Sequence, residues 1–102
     1  MKKINQREMK VGNFIYLEDN EKPRNRRFIV KIIKLGSEID EIDWWRLSEK
    51  PKDLFELSID KEKEYNKGND NLDNEDWEGY NLFKLNKKEI LKFKRHLIIS
   101  NL

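Results

Sequence analysis

A chain of 102 residues in which 41% of the side chains are charged and 36% apolar has room for one domain with a small core, residues 1–102 forming a single unit that buries about two-thirds of its unfolded surface. The absence of cysteine excludes disulfide scaffolds and thiolate zinc sites. No apolar stretch approaches a membrane span and the opening MKKINQREMK has no apolar signal core, so a cytoplasmic protein is expected.

VGNFIYLE, residues 11–18, predicts a first strand, with Phe14 and Tyr16 alternating with Ile15 and Leu17. RFIVKIIKL, residues 27–35, sends Phe28, Val30 and Ile32 one way and Ile29, Ile33 and Leu35 the other. Two apolar faces predict a central strand rather than an edge. The intervening DNEKPRNRR is rich in turn formers and predicts a hairpin connection. After Gly36 and Ser37, EIDEIDWWRL fits a strand around Ile42 to Leu47 or an amphipathic turn through Ile39, Ile42 and Trp45, and the strand is the reading taken. KPKDLFELSID leaves a helix opened by Pro51 and an extended LFELSI both open.

Residues 61–78 are polar apart from Tyr65, Leu72 and Trp77 and read as a long acidic loop or insertion, part of it helical or mobile. GYNLFKL, residues 79–85, predicts another strand. Asn86 followed by Glu89 predicts a reciprocal N-cap. Ile90, Phe93 and Leu97 then recur at helical spacing, with Leu91 and Ile98 alongside, so a helix from Lys87 to Ile99 is expected to pack on the sheet. The fold class is α+β, a small antiparallel sheet or partial barrel of about four strands with a C-terminal helix.

Catalytic machinery is not visible. His96 is the single histidine, and Ser100, four residues on, completes no triad because no acid stands where it would orient the ring. The four glycines belong to no phosphate-binding motif. An EF-hand register also fails: starting from Asp70 puts Leu72 in a ligand position, and starting from Asn69 puts Asn74 where glycine is required and Tyr80 where glutamate is. The chain reads as non-enzymatic, with no cofactor, metal or small-molecule substrate.

Charge carries the functional signal. Residues 1–34 hold ten basic and four acidic side chains (+6), residues 35–80 six and fifteen (−9), and residues 81–102 six and one (+5), behind a total of only +2. Folded against one another, such blocks would cancel in surface ion pairs each worth under about 1 kcal/mol; left apart, they are surfaces for a partner. The acidic candidates are Asp70, Asp73, Glu75, Asp76 and Glu78. The basic ones, for a partner or RNA, are Lys22, Arg24, Arg26 and Arg27 on the predicted hairpin loop and Lys84, Lys87, Lys88, Lys92, Lys94 and Arg95 around the last helix. Trp44 and Trp45 must face opposite sides of a strand. Trp45 and Trp77 are candidate aromatic anchors, Trp77 the better placed for exposure, although packing the acidic loop onto the domain is the role Trp77 is first expected to have.

MKVGNFIY, residues 9–16, resembles the opening of small proteins from phages and mobile elements of the Bacteroidota. Alanine and threonine are absent while lysine, asparagine and isoleucine supply 38 of the 102 residues, the usage of AT-rich codons. In size, composition and split charge the chain resembles phage-borne anti-CRISPR inhibitors, including those of RNA-guided RNA-cleaving type VI effectors. That resemblance implies a modulator acting in a bacterial host's cytoplasm on a larger protein or ribonucleoprotein, such as a CRISPR effector with its guide RNA. An autonomous RNA-binding module and an immunity-type protein-interaction domain remain open beside it.

Overall fold

The computed structural model describes residues 1–23, 26–47 and 67–100, with side chains through residue 97. Its elements are β1 (Lys2–Ile4), a 3-10 turn (Gln6–Glu8), β2 (Phe14–Asp19), β3 (Arg27–Lys34), β4 (Ile39–Arg46), β5 (Lys67–Asp73), α1 (Asn74–Glu78), β6 (Tyr80–Lys84) and α2 (Lys87–Ser100). The strands form one open antiparallel sheet in the order β1-β6-β2-β3-β4-β5. The fold is α+β as expected, but the described residues hold six strands rather than about four. The two unanticipated strands, β1 and β5, are the edges. KPKDLFELSID lies outside the described residues.

β3 occupies the middle because both of its faces are apolar. Ile29 is buried on one side and Val30 and Ile32 on the other. The alternation fails beyond Ile32, where the pairing with β4 slips by one residue between Ile32 and Lys34. That bulge carries Leu35 out to solvent, so it does not join Ile29 in the core. β2 enters its ladder through a tight turn: the Asn13 N–H donates to the Lys10 carbonyl at 3.0 Å, and Gly12 adopts φ 89°, a conformation that glycine alone takes without strain.

Each face of the sheet has its own core. On one, Ile4, Ile15, Leu17, Val30, Ile32, Ile42 and Leu82 are covered by Met9 and by Trp77 of α1. On the other, Phe14, Tyr16, Ile29, Leu47 and Leu85 are covered by Phe93 of α2, with Ile90 and Leu97 beside it. Adjacent Trp44 and Trp45 divide between the two, as strand geometry requires.

Among the described residues, all three helical segments open on a reciprocal cap: Asn5 with Glu8, Asp73 with Asp76, and Asn86 with Glu89. In the last, both bonds measure 2.9 Å, as the sequence pattern predicts. Phe93 is fully buried and meets Phe14 and Trp45 edge to face, with ring centroids 6.0 and 5.2 Å away. Phe93→Ala should therefore lower stability by about 3–5 kcal/mol, read as a fall in the urea midpoint with an unchanged slope.

Candidate functional site

The strand order sets a group of lysines at one edge of the sheet and a group of carboxylates at the other, with Arg46 and Lys67 also on the acidic side. At the β1 edge Lys2 stands directly opposite Lys84, with Lys3 next to it, an arrangement that repels unless something else supplies the counter-charge. At the other edge the β4–β5 ladder gathers Asp40, Glu41, Asp43, Asp70 and Asp73. Helix α1 continues that acidic surface with Glu75, Asp76 and Glu78. The two ends do not neutralise one another. Among the described residues, setting aside Arg27, Arg46 and Lys92, which have partners, the only ion pair joins the Met1 ammonium to Glu89 at 3.2 Å.

The acidic segment is not a loop from residue 67 onward, since residues 67–73 form a strand and 74–78 a helix; residues 61–66 lie outside the described part. Three of its five carboxylates have work within the fold. Asp70 accepts the Trp44 indole N–H at 2.9 Å. Asp73 accepts the Asp76 N–H at 3.0 Å, and the Asp76 carboxylate accepts the Asp73 N–H at 3.0 Å. Glu75 and Glu78 are exposed and their carboxylates have no partner. On the sheet face that bears α2, the Asn69 amide donates to Glu41 at 3.2 Å and to Asp43 at 2.9 Å, holding two more carboxylates side by side.

The basic residues separate in a similar way. Lys22 and Arg26 are exposed on the β2–β3 hairpin, and Arg24 lies outside the described residues. Arg27 is not a loop residue: it opens β3, is buried, and sits opposite Glu18 and beside the Tyr16 phenol. Burial pushes the Tyr16 phenol above its usual range, against the pull of Arg27. Stability from the neutral phenol is thus present below the ordinary tyrosine pKa and lost as pH rises through the folded value. The hairpin is held by Asp19, whose carboxylate takes the Glu21 N–H at 2.8 Å and the Lys22 N–H at 3.0 Å. The Lys22 and Glu21 N–H groups hold Asp19 below its usual pKa, so this contribution is present above the unfolded carboxylate value and fades as pH falls through the folded one. Lys84, Lys87, Lys88, Lys92, Lys94 and Arg95 are all exposed, Lys94 reaching 5.7 Å from the Phe14 ring centre. Lys84 pairs with Ile15, at the end of β2 remote from the hairpin, so the strand separates the start of this group from the hairpin cations.

Of the two roles open to Trp77, packing is the one the fold uses and the exposed anchor is not. Trp77 is not exposed; it is 2% accessible, and its indole N–H donates at 3.0 Å to Asp40, itself buried and also accepting the Gly36 N–H at 3.1 Å. A single turn of helix rotates Trp77 inward while its acidic neighbours stay in water. Trp45 is half-buried under Phe93. His96 is half-buried in α2, and among the described residues no His, Cys, Asp or Glu cluster is arranged to hold a metal.

Sequence reasoning passed over the aromatic site that does exist. Beyond Trp77, the same sheet face opens into a groove of about 280 Å³ with Leu17, Val30 and Ile42 at its floor, Phe28, Trp44 and Tyr80 as aromatic walls, and Leu72, Arg46 and Asp70 completing the lining. Phe28 stands at 90° to Trp44 and 83° to Tyr80, with centroids 5.9 and 6.1 Å apart. The Trp44 indole lies against the backbone of Gly68, where a Cβ would come within 2.7 Å of its ring atoms. The sequence signal was present in the Trp-Trp pair, but the three rings come from three strands and meet only once the register is known.

Gly68→Ala should therefore push the Trp44 indole away and break its bond to Asp70. The measurement is the indole N–H region of a ¹⁵N–¹H spectrum, where the Trp44 signal should move and the Trp77 signal, fixed by Asp40, should stay. No helix among the described residues is long and apolar enough to cross a membrane. The chain matches no family model, no curated protein and no solved structure.

Proposed function

We propose that the chain is a non-enzymatic binding module that docks through its acidic β4–β5–α1 edge on a basic surface of a larger protein or nucleoprotein. The sequence resemblance directs this reading toward a CRISPR effector with its guide RNA, which the chain would modulate by occupying cationic residues otherwise used for nucleic acid. The observation that supports it most is the pair of carboxylates with no internal role: Glu75 and Glu78 stand exposed on a capped helix turn, unpaired, beside the acidic β4–β5 edge of the sheet, while Lys2, Lys3 and Lys84 gather at the β1 edge. Long-range complementarity of this kind speeds and orients encounter more than it adds to affinity.

Charge reversal at these two positions separates docking from folding, because neither side chain takes part in the Asp73–Asp76 cap. Glu75→Lys combined with Glu78→Lys should leave the thermal midpoint within a few degrees of the parent chain. It should weaken calorimetric binding to a guide-loaded RNA-cleaving effector roughly tenfold or more at low salt, with a smaller difference at high salt. The same reversal at Lys87 and Lys88 serves as the comparison. Unchanged binding by the glutamate variant would remove the α1 surface from the mechanism.

A further inference from the structure

The aromatic groove has an electrostatic character of its own. The face of an aromatic ring is the negative part of its quadrupole, so rings converging on a concavity attract cations and repel anions. Here Phe28 meets Trp44 and Tyr80 nearly at right angles. A carboxylate stands with them: one Asp70 oxygen takes the Trp44 N–H, and the other has no partner. Both members of that pair are held in place, since Gly68 seats the indole and the β4–β5 ladder sets Asp70 opposite Ile42. Arg46, which has a partner of its own, also lines the groove, and Asp70 is the one carboxylate among the described lining residues. Outside the groove, β4, β5 and α1 extend the same negative potential.

We infer that the groove receives an arginine side chain presented by a protein partner. Its guanidinium plane lies on the Trp44 indole, its N–H fork meets Asp70, and its methylene stem covers the aliphatic floor. Arginine fits because it is planar, weakly hydrated, stacks on aromatic faces and bonds a carboxylate through two N–H groups at once, whereas lysine is a compact and strongly hydrated point charge. A phosphate-bearing strand would have to bring its own negative charge up to Asp70. The inference rests on the docking reading for the source of the arginine and on the groove alone for its chemistry.

Titration of the ¹⁵N-labelled full chain with acetyl-Gly-Arg-Gly-amide tests it, with the Trp44 indole signal assigned by its loss in Trp44→Phe. The Trp44 N–H should shift saturably while the Trp77 N–H does not move. The matching citrulline peptide, equal in shape but uncharged, should bind at least about tenfold more weakly, as should the arginine peptide to Asp70→Asn. Retention of the dispersed spectrum in Asp70→Asn shows that the loss is not unfolding. A Trp44 signal indifferent to the arginine peptide, equally responsive to citrulline, or displaced instead by a short single-stranded oligonucleotide overturns the assignment. Because no effector is present, the groove can fail here while the Glu75 and Glu78 experiment still supports docking, and the reverse outcome is equally readable.

Discussion

A six-stranded sheet has two faces to keep from water, and this chain has few apolar side chains with which to do it. The supply is concentrated on the middle strands. β3 is sealed on both sides by Ile29, Val30 and Ile32, β2 by Phe14, Ile15, Tyr16 and Leu17, and coverage thins toward the edges. Hydrophobic burial scales with area removed from water, so the central strands hold the domain together while the outer ones are carried by their ladders. Freed from the core, the edge strands are left to polar residues, and the lysines of β1 and the carboxylates of β5 also discourage uncontrolled pairing with other chains.

The groove follows from the same scarcity. Trp77 and Met9 cover only part of their sheet face, and among the described residues the remainder forms the groove beside Phe28, Trp44 and Tyr80. Trp77 is committed to its place by the buried Asp40, which meets both the indole and the Gly36 N–H. A buried polar group with its bonds made fixes geometry more than it adds stability. One indole is thereby locked as a plug, and another, tied to an exposed carboxylate, is left facing solvent. The two tryptophans share one hydrogen-bonding motif and differ in burial.

Much of the fold was legible where local pattern and tertiary demand agree. Alternation identified β2 and β3, the Asn86–Glu89 pair marked the start of α2, and Ile90, Phe93 and Leu97 gave its buried stripe. The edges were not legible. β1 is only three residues long, and β5, KGNDNLD, has Leu72 as its one apolar side chain. Its pairing with β4 comes from backbone bonding and from the Asn69 and Asp70 contacts, none of which leaves a periodic trace. The acidity around Trp77 suggested solvent, yet Asp73 and Asp76 form the cap that turns it inward; aspartates three apart before a tryptophan were the available clue. Of the candidate site residues, the sequence identified the carboxylates and cations but not their duties. Arg27 went into the sheet, Asp70, Asp73 and Asp76 went into local hydrogen bonds, and only register could bring the aromatic rings together.

Lysines crowd the β1 rim of the sheet and carboxylates crowd the β4–β5 rim, so among the described residues charge is unevenly shared across the sheet. Near any strongly charged body such an object feels a torque before it feels a contact, and it turns its carboxylate rim toward positive potential while still separated by water. The torque depends on the separation of the two charge centres rather than on their sum, so a chain that is close to neutral overall can still arrive already aligned.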